Sequence, residues 1–246
     1  MKLIMVIPVS LFAMATLTFV AVAQIPQKSD PPALQDAELE AHLGKIVQRI
    51  ADAAPLDLQP ITYETRILRH RSRQAYIECE EARATCTIFI TSRMLAFVEN
   101  ADELAGVIAH EMAHGAFGHQ AKWESAERAV NPQDPGAEAS LGNLSRQFES
   151  EADSFSIRML NEAGYSPTAY LAIFPRLPIC KDPFVDPTLS THPKCAERIA
   201  AMQREISALS ELGASTENAT ETAAIFAEMK KRLNAVLQSI EADTAQ

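Results

Sequence analysis

Two histidines four residues apart, with a glutamate between them, are the part of this 246-residue sequence best suited to chemistry: His110-Glu111-Met112-Ala113-His114. On an α-helix, residues i and i+4 share a face, so both imidazoles can reach one ion. Glu111 projects about 100° further round, beside the position that a catalytic metal keeps open. Two neutral nitrogens on zinc and a carboxylate next to an activated water are what a zinc-dependent hydrolase needs. A third protein ligand must come from elsewhere. His119 does not fit the H-E-x-x-H-x-x-G-x-x-H spacing, because Phe117 and Gln120 stand where Gly and His would be required. The better source is the stretch Phe148-Glu149-Ser150-Glu151-Ala152-Asp153. In a helix from about Leu141 to Leu160, Glu149, Ala152, Asp153 and Ser156 share one side, and Glu151 falls opposite, facing water. Glu149 is therefore the expected third ligand. Asp153, one turn later, is the expected acceptor that orients a ligand histidine.

These residues need elements to position them. Asn100 is a good N-cap with Glu103 three residues on, and Asp102 and Glu103 suit the positive end of the helix dipole. Leu104, Val107, Ile108 and Met112 form one apolar arc, while Ala105, Gly106, Ala109 and Ala113 leave room for close approach on another side. The spacing predicts a buried helix, in which the two histidines and the glutamate would be costly without a metal. Upstream, Asp36 to Ala53 has helical periodicity and Ile61 to Leu68 reads as a strand. Gln74 to Cys79 and Thr85 to Ile90 read as a hairpin. If Cys79 faces Cys86, then Ile77 faces Ile88 and Ala75 faces Ile90, and all six point to one side. That register favours the disulfides Cys79–Cys86 and Cys180–Cys195 among the three pairings of four cysteines. Thr87 to Thr91 is a candidate sheet edge for an extended peptide. Gln120 to Gln147 reads as a polar connection, either a solvated loop or a flap. Thr216 to Ile240 has helical periodicity suited to packing on the domain.

Hydrophobic residues make up 47% of the chain, enough for a sizeable core. A formal net charge of −10 without a long basic run argues against nucleic acid and against electrostatic attachment to anionic lipid. Peripheral association with a membrane stays open. Lys2, the apolar run Leu3 to Val20 and Ala21-Val22-Ala23 read as a signal peptide over residues 1–23, cleaved before Gln24. An uncleaved N-terminal anchor is the alternative. Export to the periplasm or beyond suits paired cysteines. The expected organisation is a flexible leader at 24–35, a zinc metallopeptidase domain at 36–212, and a C-terminal helix within 213–246 packed on that domain.

The chain resembles the gluzincin metallopeptidases that include the CAAX prenyl proteases, the HtpX heat-shock proteases and their soluble periplasmic relatives. The resemblance runs from about Thr87 to Met202. It rests on HEMAHGAFGH at 110–119, Glu149 with Asp153, Ala163-Gly164-Tyr165-Ser166-Pro167, and Ser190-Thr191-His192-Pro193 followed by Glu197-Arg198-Ile199. It implies an α+β, mainly helical, zincin-like domain with a small antiparallel sheet beside the active-site helix. One Zn2+ would be bound by His110, His114 and Glu149, with Glu111 catalytic. It also places His192 near the active site, where it would stabilise an oxyanion, hold the enzyme off by occupying the open metal position, or only start the helix after Pro193 with no role in the chemistry. Two departures, Tyr76-Ile77-Glu78-Cys79 with its Cys-closed hairpin and the lack of multiple membrane spans, argue against prenylated substrates. The implied function is a zinc endopeptidase acting on polypeptides such as misfolded or envelope proteins. The alternative is a zinc-dependent chaperone-like or binding module.

Overall fold

A computed structural model of the chain describes residues 32–54, 61–80, 84–131, 133–134, 136–177, 180, 195–210 and 219–244. The expected signal peptide and His192 lie outside the described residues. Asp36 caps helix α1 (Ala37–Ala53) by accepting from the Leu39 N–H at 3.0 Å. Leu39, Leu43, Ile46, Val47 and Ile50 form its buried stripe. Each such side chain contributes about 1.5–3 kcal/mol when buried, against about 1 kcal/mol for the cap, so the stripe decides where α1 sits. Residues 32–35, expected in the leader, lie along strand β1 (Thr62–Leu68). There Ala33 bridges Leu68, and the Leu34 N–H reaches the Ile67 carbonyl at 2.7 Å.

Strands β2 (Ala75–Glu80) and β3 (Thr85–Thr91) pair antiparallel with Cys79 opposite Cys86, Ile77 opposite Ile88 and Ala75 opposite Ile90. The Cys79–Cys86 disulfide closes this hairpin. Sequence periodicity does not reveal that β1 pairs parallel to β3, which makes a mixed sheet in the order β1-β3-β2. β3 is therefore the central strand, and Thr87–Thr91 is not an edge. Among the described residues the outer strands are β1, which carries the Ala33 bridge, and β2. The apolar side of the sheet packs on α1 and on the motif helix α3 (Ala101–Ala116), which follows the short helix α2 (Ser92–Phe97).

Helix α3 begins as expected, with Asn100 Oδ1 accepting from the Glu103 N–H at 2.9 Å and Glu103 Oε2 accepting from the Glu99 N–H at 2.8 Å. The following stretch is not a loop. Helix α4 (His119–Ala129) occupies it, and α5 (Ala137–Glu162) starts four residues earlier than the periodicity suggests. Of α4 only His119 is buried, so the helix has no apolar stripe to announce it. Ala152 and Ser156, both fully buried, let α5 pack against α3. Gly106 serves another neighbour. A Cβ there would lie 2.2 Å from Cδ2 of Tyr170, so glycine admits the ring of α6 (Pro167–Leu171). Helix α6 is set by Gly164 at φ +72°, by Ser166 at its N-cap, and by the Ser166 N–H donating to Asp102 on the first turn of α3 at 2.9 Å. A 3-10 turn at Phe174–Arg176 follows, and Cys180–Cys195 ties the segment after it to α7 (Cys195–Ser210). Helix α8 (Ala219–Thr244) contacts α1, α2 and α3 through Phe226, Met229 and Leu233. Lys230 on α8 donates to the carbonyls of Leu95, Ala96 and Val98 at 2.8–3.2 Å, at the C-terminal end of α2. Among the described residues, no helix is long and apolar enough to cross a membrane.

Candidate metal centre

His110, Glu111 and His114 on α3 and Glu149 and Asp153 on α5 are each at most 4% exposed, in the layer between the two helices. His110 Nε2 and His114 Nε2 are 3.2 Å apart; Glu149 Oε2 lies 3.5 Å from the first and Glu149 Oε1 3.6 Å from the second. Ligands about 2.0–2.1 Å from a tetrahedral ion stand about 3.3–3.4 Å from one another. One donor atom from each of the three residues lies within 4.8 Å of the other two, a triangle that one small cation could span. Charge points the same way. With neutral imidazoles, the carboxylates of Glu111, Glu149 and Asp153 face one guanidinium among the described residues, that of Arg198. A divalent cation would balance that charge, which the metal-free cluster offsets instead with a proton on His110.

Each ligand has a supporting residue. His110 Nδ1 is 3.2 Å from Asp153 Oδ1. His114 Nδ1 is 2.9 Å from His119 Nδ1, and His119 Nε2 is 3.1 Å from Glu151 Oε2. Arg198 of α7 holds Asp153 through two bonds of 2.7 Å, and its Nη1 lies 2.9 Å from Glu149 Oε2. Burial would lower the pKa of His110, but hydrogen bonds and charge from Asp153 and Glu149 outweigh it and lift the metal-free group to about 10. His114 falls to about 3 through burial and then the charge of His110. Burial would raise Glu149, yet Arg198 and the two histidines hold it far below the usual carboxylate range. Glu111 differs. Its Oε2 is buried with no hydrogen-bond partner among the described residues, and burial pushes its pKa up to about 7.

Helical phase in the sequence turns Glu149 inward, and in the structure it is fully buried. Glu151 is on the solvent side, its side chain 37% exposed, but it also engages His119. Motif spacing tests His119 only as a metal ligand and misses its position beside His114. Arg198 escapes the sequence reading too, although Glu197-Arg198-Ile199 belongs to the signature that carries the resemblance. The hairpin presses on α3 directly after His114: a Cβ on Gly115 would lie 2.8 Å from Ile77 Cδ1 and 3.2 Å from both sulfurs of Cys79–Cys86. Beside it is a cavity of about 630 Å3, bordered by Ile77, the disulfide, His114, Phe117, Gln120 and Arg128.

The model of peptidase family M48 matches the chain over residues 37–132 and 135–206, a span that includes every residue of this cluster. The chain belongs to peptidase family M48. No curated protein matches the sequence at a significant level. Among solved structures, the crystal structure of S. mikatae Ste24p is similar at a TM-score of 0.42 and 16% identity, over 70% of this chain and 50% of that one. The chain thus spans about half the length of that protein.

Proposed function

We propose that the protein is a zinc-dependent endopeptidase that cleaves exported or envelope polypeptides. The observation that carries this reading is the donor triangle of His110, His114 and Glu149 with Glu111 in the same buried layer, its Oε2 without a hydrogen-bond partner among the described residues. These three residues would hold zinc, which when bound lowers the pKa of water and polarises the scissile carbonyl. Glu111 is the general base. Buried beside the donor triangle, its carboxylate would take a proton from the attacking water and return it to the leaving amine. Asp153, braced by Arg198, keeps the His110 ring aimed at the triangle.

The peptide would extend along β2, the outer strand beside α3. The Cys79 N–H on that edge is held by Gln120 Oε1 at 3.1 Å, where a substrate carbonyl would take the amide's place. The neighbouring cavity would receive a side chain of the same peptide. Both disulfides support an oxidising compartment. The test is Glu111→Gln. Hydrolysis of an unfolded protein should fall about 100- to 10,000-fold while zinc content is unchanged. Undiminished cleavage would rule out Glu111 as the base, and a chaperone-like module would keep its function in this variant.

A further inference from the structure

His119 stands five residues after His114, which on a continuous helix would put it on roughly the opposite side. Gly118, at φ +61°, ends α3 and starts α4, and the left-handed residue swings His119 back against the active-site helix. There the ring is 1% exposed. It stacks on Phe148 at 4.2 Å and 12° and on Phe117 at 5.5 Å and 25°, so its plane is fixed from both sides.

The hydrogen bonds then admit one arrangement. His114 Nε2 belongs to the donor triangle, so a neutral His114 carries its proton on Nδ1. That proton is donated to His119 Nδ1, 2.9 Å away, which must therefore be an acceptor. The proton of His119 then sits on Nε2 and is donated to Glu151 Oε2 at 3.1 Å. Glu151 Oε1 in turn accepts from Gln147 Nε2 at 2.8 Å, one turn earlier on α5. Every donor in the chain meets an acceptor, and the chain ends on a carboxylate at the surface.

We propose that His119 and Glu151 are positioning residues for the metal: a His114–His119–Glu151 relay fixes the tautomer and ring plane that present His114 Nε2. The relay does for His114 what Asp153 does for His110. This inference rests on the metal-site reading above, and the test separates the two. Zinc affinity is measured by chelator competition on the full chain and on His119→Phe, His119→Asn and Glu151→Ala. Phe keeps the stacking and removes the acceptor, while Asn keeps an acceptor at the Nδ1 position. His119→Phe should bind zinc about 10- to 100-fold more weakly, with His119→Asn recovering most of the loss. Glu151→Ala, a change near the surface, should weaken zinc measurably in a chain that still unfolds cooperatively without metal. If His119→Phe does not fold, Glu151→Ala alone decides. Parental affinity in His119→Phe or in Glu151→Ala overturns the relay, as does an Asn variant as weak as the Phe variant. A parent chain that takes up no zinc overturns the metal site itself.

Discussion

Arg198 shows how one residue can hold a site together without being a ligand. Its side chain is 10% exposed, makes two hydrogen bonds to Asp153 and an ion pair with Glu149, and lies over the Phe174 ring. Removing one partner of a buried ion pair leaves the others uncompensated. Arg198→Met should therefore lower stability by about 3–5 kcal/mol in urea unfolding of the metal-free chain. A loss below about 1 kcal/mol would match an exposed pair and contradict this role. Glu149 is legible in the sequence because helical phase alone separates it from Glu151 two residues away. Arg198 is not legible. It sits on another helix with its partners 45 or more positions back, and a single charged residue in an amphipathic pattern looks like a solvated one. The place of His119 is hidden because its phase follows from α3 only if that helix continues past Gly118, and it does not.

At the scale of elements, two glycines should respond in opposite directions to the same change. Gly106 faces the Tyr170 ring, so Gly106→Ala forces α6 away from α3 and should cost about 1–3 kcal/mol. Gly44 lies inside α1, where an added methyl group would meet nothing within 4 Å, so Gly44→Ala should stabilise by about 0.5–1 kcal/mol. Thermal unfolding of the two variants checks both signs, and equal shifts would show that α6 does not press on α3 here. The hairpin register is readable because one alignment satisfies both the cysteine pair and the apolar alternation. The parallel pairing of β1 is not, since local pattern gives a strand's faces but not its partner or direction. Helix α4 is hidden by its polar composition.

In the molecule as a whole, the metal site is assembled from segments far apart in sequence, and α7 is the most remote contributor. Cys180–Cys195 anchors α7 at its first residue, three positions before Arg198, and spans 15 residues. A loop of that length implies about 3 kcal/mol of stabilisation from the cross-link. Cys180→Ser with Cys195→Ser should cost about that much in urea unfolding, and an unchanged midpoint would show that α7 is held without it. The metal triangle itself is best tested by the zinc content of the purified chain beside that of Glu149→Ala. One zinc per chain in the parent, and loss of it in Glu149→Ala, is the expected result. A parent that takes up no zinc after reconstitution, or a Glu149→Ala protein that retains it as firmly, would contradict the His110–His114–Glu149 centre.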